Sequence, residues 1–482
     1  MSKIDNTTAK KEKSFSSINF KSFIIVIILL CSILAVSGLL SYFIPQGSFA
    51  KNEEQEIIPG TYVQGEVKGI PVWRVITAPV RVFFSEDALN IIAISLFLLI
   101  MSGVFNLIEK TDGIKIFIGK LVKHLANKGG PVVCLSVLIF MLFGSFFGMF
   151  EELVTLVPLM IVLMLSLGMD TMTGLGACML AACFGFSAAI TNPFSVGTAA
   201  TVANTTTLDG AWLRIVFFGI VYATLCTFLM IHLKRIEKNP KSSPTYEIDI
   251  VKRETIGDTL SHTYENEDKI FRVYCAFFGL QALVLVLIAS IRTLSEIAIP
   301  ILSVSFLLGG IVCGIAINKD WFATVKHIVN GAASMLPAVL MIAIASSVKL
   351  VMTESKIIDT VMNFAIQHLE NKNKFVAIIL VYFIILFLQI FIGSASAKIL
   401  LVMPIVMPIC TALGLSPAIV ILAYCMADGF TDVIMPTNPI LLVGLSMANV
   451  SYSKWVKWTW KLQLLVFAIT ILVLFFAIGI GY

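Results

Sequence analysis

Charged residues are scarce in this sequence. They make up 13% of its 482 residues, whereas hydrophobic residues make up 58% and the mean hydropathy is +0.96. Soluble globular domains carry about 25% charged residues, so this composition excludes a water-soluble protein. Because a membrane-spanning helix needs about 20 mostly apolar residues, the chain is long enough for roughly a dozen crossings.

The residue patterns of common enzymes and cofactor sites are also missing. The nine cysteines lie in apolar segments without a Cys-x-x-Cys pair, and the five histidines form no His-x-x-x-His pair. Both absences argue against a disulfide framework and a metal site. Neither the phosphate-binding loop of ATPases nor a nucleophile elbow occurs. We therefore expect no enzyme activity, no catalytic residues, no metal, no cofactor and no nucleic-acid partner.

Long apolar runs dominate the sequence instead. The first run, residues 22–44, is too long for a signal peptide and lacks a small-residue cleavage site, so we expect a retained span. Most of the 34 basic residues fall in loops on the side of the N-terminus, which places that side in the cytoplasm. We expect a multi-pass protein of the bacterial inner membrane. Further runs that indicate ordinary spans are 88–108, 213–233, 270–291, 297–317, 331–352 and 458–481.

Four other apolar stretches are interrupted. Residues 131–167 and 375–413 each divide into two halves that are short for a bilayer crossing, which predicts two re-entrant hairpins. Residues 172–206 and 416–449 are each interrupted in the middle by an Asn-Pro pair. Because proline donates no backbone hydrogen bond, we expect both helices to break there.

These features occur twice along the chain. A shift of 246 residues places Thr191-Asn192-Pro193 on Thr437-Asn438-Pro439. The sequence therefore predicts two homologous units, residues 1–234 and 270–482, joined by a cytoplasmic linker of residues 235–269. With the N-terminus inside, one hairpin enters from each side of the membrane, so the repeats are inverted. Inverted repeats with broken helices are typical of alternating-access transporters.

The two helix breaks are the first candidate substrate site. A break releases carbonyl groups from the helix, and the half-helix that follows has an N-terminus that attracts anions such as a carboxylate. A purely structural kink is the alternative. The residues that we expect to bind substrate here are Thr191, Asn192, Pro193, Ser195, Thr437 and Asn438.

Charged residues inside apolar segments form the second candidate site. Glu151 and Glu152 stand at the first hairpin tip, and a charge at membrane depth costs about 2.5–3.5 kcal/mol on insertion scales. The alternative is a tip solvated in the cytoplasm. Asp428 and Asp432 lie four residues apart and share a helix face. The alternative to a substrate role is a structural pair that neighbouring backbone groups and a lysine satisfy. Together with Lys398 these residues make four carboxylates and one ammonium, which favours a cationic substrate.

Lys398 has three possible roles. It follows Ser394 and Ser396 at the second hairpin tip, and the 246-residue shift places it opposite Glu152. It could pair with a carboxylate as a structural lock, or bind the carboxylate of the substrate. Alternatively, its ammonium could occupy the place that a coupling sodium ion fills at the symmetry-related site of a sodium-driven relative.

Three smaller features indicate contacts with the membrane surface. Segments 111–128 and 354–372 are amphipathic and stand just before the hairpins, which suits helices in the interface plane, although they could merely cap neighbouring spans. Trp455, Trp458 and Trp460 lie beside lysines, a pattern typical of an interfacial anchor.

Four motifs give the sequence a family resemblance. They are Phe150-Glu-Glu-Leu153, Thr191-Asn-Pro-Phe-Ser-Val-Gly-Thr198, Ala427-Asp-Gly-Phe430 and Pro436-Thr437. In these motifs the chain resembles the YfcC family of bacterial carriers, which belongs with anaerobic dicarboxylate carriers and arginine/ornithine antiporters. The likeness covers nearly the whole chain. It implies the ion-transporter superfamily fold: a homodimer with about eleven spans per protomer, two re-entrant hairpins and elevator-type movement.

The hairpin tips depart from one branch of that group. They carry Phe150-Glu-Glu152 and Ser394-Ala-Ser396 in place of the Ser-Asn-Thr signature of sodium-dicarboxylate members. We therefore expect a secondary transporter that exchanges amino acids, arginine against ornithine, with membrane lipid and a second copy of the chain as its partners. The second hypothesis is a proton- or sodium-driven symporter of C4-dicarboxylates or other organic acids. A membrane enzyme or channel is the third.

Overall fold

The computed structural model describes residues 20–50, 58, 60–113, 116, 120, 129–260, 266–291, 294, 297–369 and 372–482. Its α-helices are Phe20–Leu40, Val72–Arg81, Ala88–Lys110, Gly129–Leu142, Val157–Ser166, Thr171–Leu175, Ala181–Ala188, Thr198–Val202, Ala211–Lys238, Tyr246–Leu260, Glu267–Ser290, Ala298–Asn318, Trp321–Ser334, Leu336–Glu354, Ile357–Leu369, Lys374–Gln389, Ala395–Ala412, Pro417–Asp428, Pro439–Met447 and Tyr452–Gly479. Short π-helical segments are Phe143–Phe147, Gly176–Leu180 and Pro193–Gly197. Short 3₁₀ segments are Val82–Phe84, Leu153–Leu156, Pro240–Ser242 and Gly429–Val433. Strands Gly47–Ser48 and Val63–Gln64 pair antiparallel, with Gly47 opposite Gln64.

Most of these helices are built for a membrane. By length and composition, eight of them in the described part of the chain can cross a bilayer, and three further apolar helices are shorter. This confirms the predicted all-α polytopic membrane protein. The count of eleven crossings and the cytoplasmic N-terminus stay predictions.

Close helix packing forms one side of the molecule. Helix Ala88–Lys110 packs against Ala298–Asn318 and Trp321–Ser334. A Cβ atom on Gly103 would lie 2.7 Å from the Ile328 carbonyl oxygen, so only glycine allows this approach. The Ser102 hydroxyl donates to the Gly331 carbonyl at 2.8 Å across the same contact.

Two helical hairpins and two broken helices form the other side. The first hairpin (residues 129–166) packs against the first broken helix (residues 171–202). There, a Cβ on Gly185 would lie 2.1 Å from the Met141 carbonyl oxygen. The second hairpin (residues 374–412) packs against the second broken helix (residues 417–447). The broken helices cross where a Cβ on Gly429 would lie 2.3 Å from the Ser187 amide nitrogen.

The structure corrects several sequence-based boundaries. The predicted span 331–352 lies within residues 321–354, a stretch that is long and apolar enough to cross a membrane and in which two helices meet at Met335, just before Pro337. The linker carries a helix, Tyr246–Leu260, that apolar periodicity did not predict. Segment 354–372 contains helix Ile357–Leu369. Most of segment 111–128 lies outside the described residues.

Candidate functional site

The first break lies between Ala188 and Pro193 and is fastened to the first hairpin. The Thr191 hydroxyl donates to the Phe146 carbonyl at 3.1 Å, and the Thr191 amide donates to the Ser145 carbonyl at 3.2 Å. Because its hydroxyl is already engaged, Thr191 holds the break in place rather than presenting a polar group to a ligand.

The half-helix after this break is capped by its own asparagine. Pro193 occupies the first position, and Asn192 Oδ1 accepts from the amides of Phe194 at 2.9 Å and Ser195 at 3.3 Å. In this structure the Asn192 side chain takes these two amides, so anion binding at this half-helix stays a prediction. Asn192 Nδ2 is buried and has no partner among the described residues, so the side-chain amide is the donor that this break presents. The Ser195 side chain lies against the Cys425 thiol.

A carbonyl of the first break, that of Ile190, also accepts a hydrogen bond from a side chain. Arg214 is 1% exposed, and its guanidinium donates to the carbonyls of Ile190 at 3.2 Å, Thr207 at 2.5 Å and Asp209 at 3.0 Å. A cation near the C-terminal end of a helix interacts favourably with the helix dipole. The carbonyl that we expected to coordinate a ligand here is thus satisfied by Arg214.

At the second break, too, side chains donate hydrogen bonds to backbone carbonyls, here from a tryptophan and a tyrosine. The Trp455 indole N–H donates to the Val433 carbonyl at 2.6 Å, and the Tyr452 hydroxyl donates to the Ile434 carbonyl at 2.5 Å. Trp455 is completely buried, so the prediction that it serves as an interfacial anchor is wrong. Trp460 is 48% exposed beside Lys461, as an anchor requires.

Asn438 caps the second half-helix and contacts an acidic side chain. Its Oδ1 accepts from the amides of Ile440 at 2.9 Å and Leu441 at 3.4 Å, while its Nδ2 donates to Asp432 Oδ1 at 3.2 Å. The neighbouring Thr437 hydroxyl is buried without a partner among the described residues. The two asparagines thus differ, because the spare amide of Asn438 binds a carboxylate and that of Asn192 binds no described residue.

Lys398 and Asp428 form a buried ion pair between the second hairpin and the second broken helix. The Lys398 ammonium donates to Asp428 Oδ1, and neither side chain is more than 1% exposed. Asp428 Oδ2 has no partner in the described part of the chain. Removing one partner of such a pair leaves an uncompensated buried charge, which destabilises a fold strongly. The geometry favours the pairing role of Lys398, and a bond from Lys398 to a substrate carboxylate stays a prediction.

Among the described residues, the side chains that donate to Asp432 are amides. Besides Asn438, the Gln389 side chain donates from Nε2 to Asp432 Oδ1 at 2.5 Å. Glu151 lies close enough to interact electrostatically with Asp432, which brings the first hairpin tip to the same place. The structure thus brings Asp428, Asp432, Glu151 and Lys398 together, and this cluster has more carboxylates than ammonium groups.

The remaining predicted residues lie around this cluster. Glu152 neighbours Glu151 at the tip, both are partly exposed, and the Thr155 hydroxyl caps the Glu152 carbonyl at 2.7 Å. Ser394 begins the second helix of its hairpin, where its hydroxyl accepts from the Ala397 amide at 3.4 Å. Ser396 is partly exposed in the first turn of that helix.

Each hairpin also touches the half-helix beyond the other unit's break. The first hairpin, through Leu153–Leu156, packs against Pro439–Met447. The second hairpin, through Ala395–Ala412, packs against Pro193–Gly197 and Thr198–Val202. Both tips, both breaks and the acidic cluster thus surround one region.

Residues 22–479 match the sequence model of the C4-dicarboxylate anaerobic carrier family. The chain belongs to this family. One relative, YfcC of Escherichia coli K12, is provisionally named a basic amino acid antiporter; it is 27% identical over 407 residues, which cover 81% of this chain and 78% of YfcC. An uncharacterised protein of Haemophilus influenzae is 26% identical over 423 residues, covering 83% and 77% of the two chains.

Two solved transporters give weaker similarity. YdaH of Alcanivorax borkumensis has a TM-score of 0.42 and 17% identity, and the match covers 96% of this chain and 99% of YdaH. MtrF of Neisseria gonorrhoeae, described with a class of antimetabolite efflux pumps, has a TM-score of 0.42 and 17% identity, and the match covers 94% of each chain. The family match confirms the resemblance to carriers. The chain is a secondary transporter in a membrane, and its relatives are transporters rather than enzymes.

Sequence reasoning missed three side chains of this carrier's site. Gln389, Arg214 and Trp455 all bind groups at or beside the breaks, yet each comes from a helix distant in sequence. A glutamine and an arginine inside long apolar helices were the available signals, because buried polar groups are rare at membrane depth. Trp455 gave no such signal, since tryptophan is common at membrane interfaces.

Proposed function

We propose that this carrier exchanges basic amino acids across the membrane, with arginine and ornithine as its substrates. The observation that carries the proposal is the cluster of Asp428, Asp432 and Glu151, in which the ammonium of Lys398 bonds to Asp428 and also acts electrostatically on Asp432. A low-dielectric site with surplus negative charge favours a cation and repels a dianion.

Asn192 is suited to bind the opposite end of the substrate. The unpaired Asn192 Nδ2 is a donor suited to the α-carboxylate, and the half-helix N-terminus behind it favours negative charge. An amino acid with a cationic side chain therefore complements both parts of the site. The name of the relative YfcC agrees with this substrate class.

Ion-driven symport of C4-dicarboxylates is the second candidate. The family description favours it, and both half-helix N-termini suit carboxylates. The acidic cluster opposes it, because two substrate carboxylates would have only Asn192 and these helix ends to balance three protein carboxylates.

We further propose that residues 1–234 and 270–482 are inverted repeats and that residues 235–269 link them on the cytoplasmic side. The hairpins and broken helices would move together as an elevator against the close-packed helices around Ala88–Lys110, in a homodimer. Within this scheme the Lys398 ammonium stands in for a coupling cation, so exchange needs no sodium.

A thermal-shift measurement on detergent-purified protein tests the substrate class. We expect arginine, ornithine and lysine to raise the melting temperature, and citrulline, the uncharged analogue of arginine, to raise it much less. Succinate and malate should have no effect. Stabilisation by succinate without stabilisation by arginine would favour the second candidate instead.

A further inference from the structure

Gln389 is the last residue of helix Lys374–Gln389 and lies at the centre of the acidic cluster. It is 1% exposed, and its Nε2 donates to Asp432 Oδ1 at 2.5 Å. This contact fixes the amide orientation, because the reverse orientation would set two oxygen atoms against each other. Gln389 Oε1 is consequently a buried acceptor, and it has no partner in the described part of the chain.

Asp428 presents a second acceptor of the same kind. Its Oδ1 accepts from Lys398, while Oδ2 is buried and unpaired within the described ranges. Both acceptors belong to side chains of one cluster, since Gln389 bonds to Asp432 and Asp428 interacts electrostatically with Asp432. Buried polar atoms nearly always have partners, so these two acceptors suit an occupant that donates several hydrogen bonds.

The surroundings of Asp432 favour a cation as the occupant. Its described hydrogen-bond donors are the neutral amides of Gln389 and Asn438, and its electrostatic neighbours are the two carboxylates Asp428 and Glu151 and the single ammonium of Lys398. Lys398 is the cation of this cluster and is already bonded to Asp428. An occupant with positive charge and several N–H groups satisfies both the acceptors and the charge.

We propose that Gln389 is a specificity-determining residue that binds the cationic end of the substrate. Gln389 Oε1 and Asp428 Oδ2 accept N–H bonds from the guanidinium or ammonium group, while Asp432 supplies the balancing charge. Gln389 thus both holds Asp432 and contacts the substrate. This inference rests on the proposed exchange of basic amino acids.

The test replaces Gln389 with methionine, which keeps the length of the side chain and removes its acceptor. Gln463 provides a matched control, because it is also a buried glutamine with both amide atoms unpaired among the described residues. Its helix, Tyr452–Gly479, contributes no carboxylate to the cluster. The measurement is arginine exchange in proteoliposomes loaded with ornithine, with KM and kcat determined separately and melting temperatures recorded without substrate.

We expect Gln389→Met to raise the KM for arginine about tenfold or more, since a hydrogen bond to a charged group is lost. Gln463→Met should leave the KM for arginine within about twofold of the wild type, since the helix of Gln463 contributes no carboxylate to the cluster. A Gln389→Met variant with unchanged KM and a lower melting temperature would show a purely structural side chain, or one whose acceptor binds water or a proton, and would overturn the inference.

A second variant and a wild-type measurement separate failure of this inference from failure of the proposed function. If Gln389→Met does not fold, Gln389→Asn carries the test: a rise of several fold in KM supports the inference, and an unchanged KM contradicts it. Wild-type protein that neither binds nor exchanges arginine refutes the proposed function itself, independently of any Gln389 variant.

Discussion

The Lys398 ammonium and the Asp428 carboxylate form an ion pair in which both side chains are shielded from solvent. The pair joins the second hairpin to the second broken helix, two elements that the proposed elevator movement must keep together. A tethered ammonium neutralises Asp428 permanently, which a diffusible cation would do only when bound. The geometry is that of a structural lock, and it also suits a stand-in for a coupling ion.

Replacing Lys398 separates these two roles. If the ammonium stands in for a coupling cation, wild-type exchange proceeds equally with sodium or choline outside, whereas Lys398→Ala stops or becomes dependent on sodium or protons. Uptake of labelled arginine by both proteins in both media measures this. Collapse of wild-type exchange in choline, or wild-type behaviour of Lys398→Ala in both media, reduces Lys398 to a lock.

The first hairpin tip should contribute unequally through its two carboxylates. Glu151 interacts electrostatically with Asp432 and thus with the cluster, so Glu151→Gln should raise the KM for arginine by about tenfold or abolish uptake. Glu152→Gln should weaken uptake less, with expression and dimer content unchanged in both variants. Normal arginine exchange by both variants would remove the tip from the substrate site.

The linker helix makes contacts that predict a dependence of stability on pH. Lys252 donates to the Ala448 carbonyl at 2.8 Å and to the Thr171 hydroxyl at 3.3 Å, and Asp249 accepts from Thr171 and Thr245. Burial lowers the pKa of Lys252 to about 8, against the opposing effect of Asp249, and burial raises the pKa of Asp249.

The sign follows from proton linkage. An unfolded lysine stays protonated to a pH of about 10.4, while folded Lys252 releases its proton near pH 8. Between these values the unfolded state binds more protons, so stability rises with pH. Melting temperatures should therefore increase from pH 8 to 10 in the wild type and less so in Lys252→Met. The exposed Lys241→Met variant should follow the wild type; equal slopes in all three proteins would disprove the role of Lys252.

Accessibility of the hairpin tips tests the inverted topology. Gly148 is unsuitable for labelling, because it has φ +67° and a Cβ there would lie 2.2 Å from Asn192 Oδ1. Phe147→Cys at the first tip is partly exposed and Ser394→Cys at the second is exposed. We expect membrane-impermeant thiol reagents to label them from opposite sides, above the background of the native cysteines. Labelling of both from one side would show that the repeats are not inverted.

The sequence predicted the parts of the site that depend on local chemistry. The Asn-Pro pairs indicate both breaks because proline cannot continue a helix. The four-residue spacing of Asp428 and Asp432 indicates a shared face. The pairing of Lys398 with a carboxylate was one of three open alternatives.

The rest depends on contacts between distant helices. Arg214 donates to the Ile190 carbonyl and Trp455 to the Val433 carbonyl, and each donor is more than 20 residues away from its acceptor along the chain. A pattern of apolar runs shows that carbonyls are released at a break, but it does not show which side chain packs close enough to take them. The linker helix was missed for a related reason: its polar contacts with Thr171 and Ala448 leave no apolar periodicity in the sequence.

Counter-substrate exchange in proteoliposomes is the most direct test of the central claim, that this carrier exchanges basic amino acids. Vesicles are loaded with ornithine, with succinate or with buffer alone, and labelled arginine or labelled succinate is added outside without any ion gradient. We expect rapid arginine uptake with ornithine inside, almost none with succinate or buffer inside, and no uptake of succinate. If the vesicles take up no arginine but take up succinate under an imposed sodium or proton gradient, the proposed exchange of basic amino acids is contradicted.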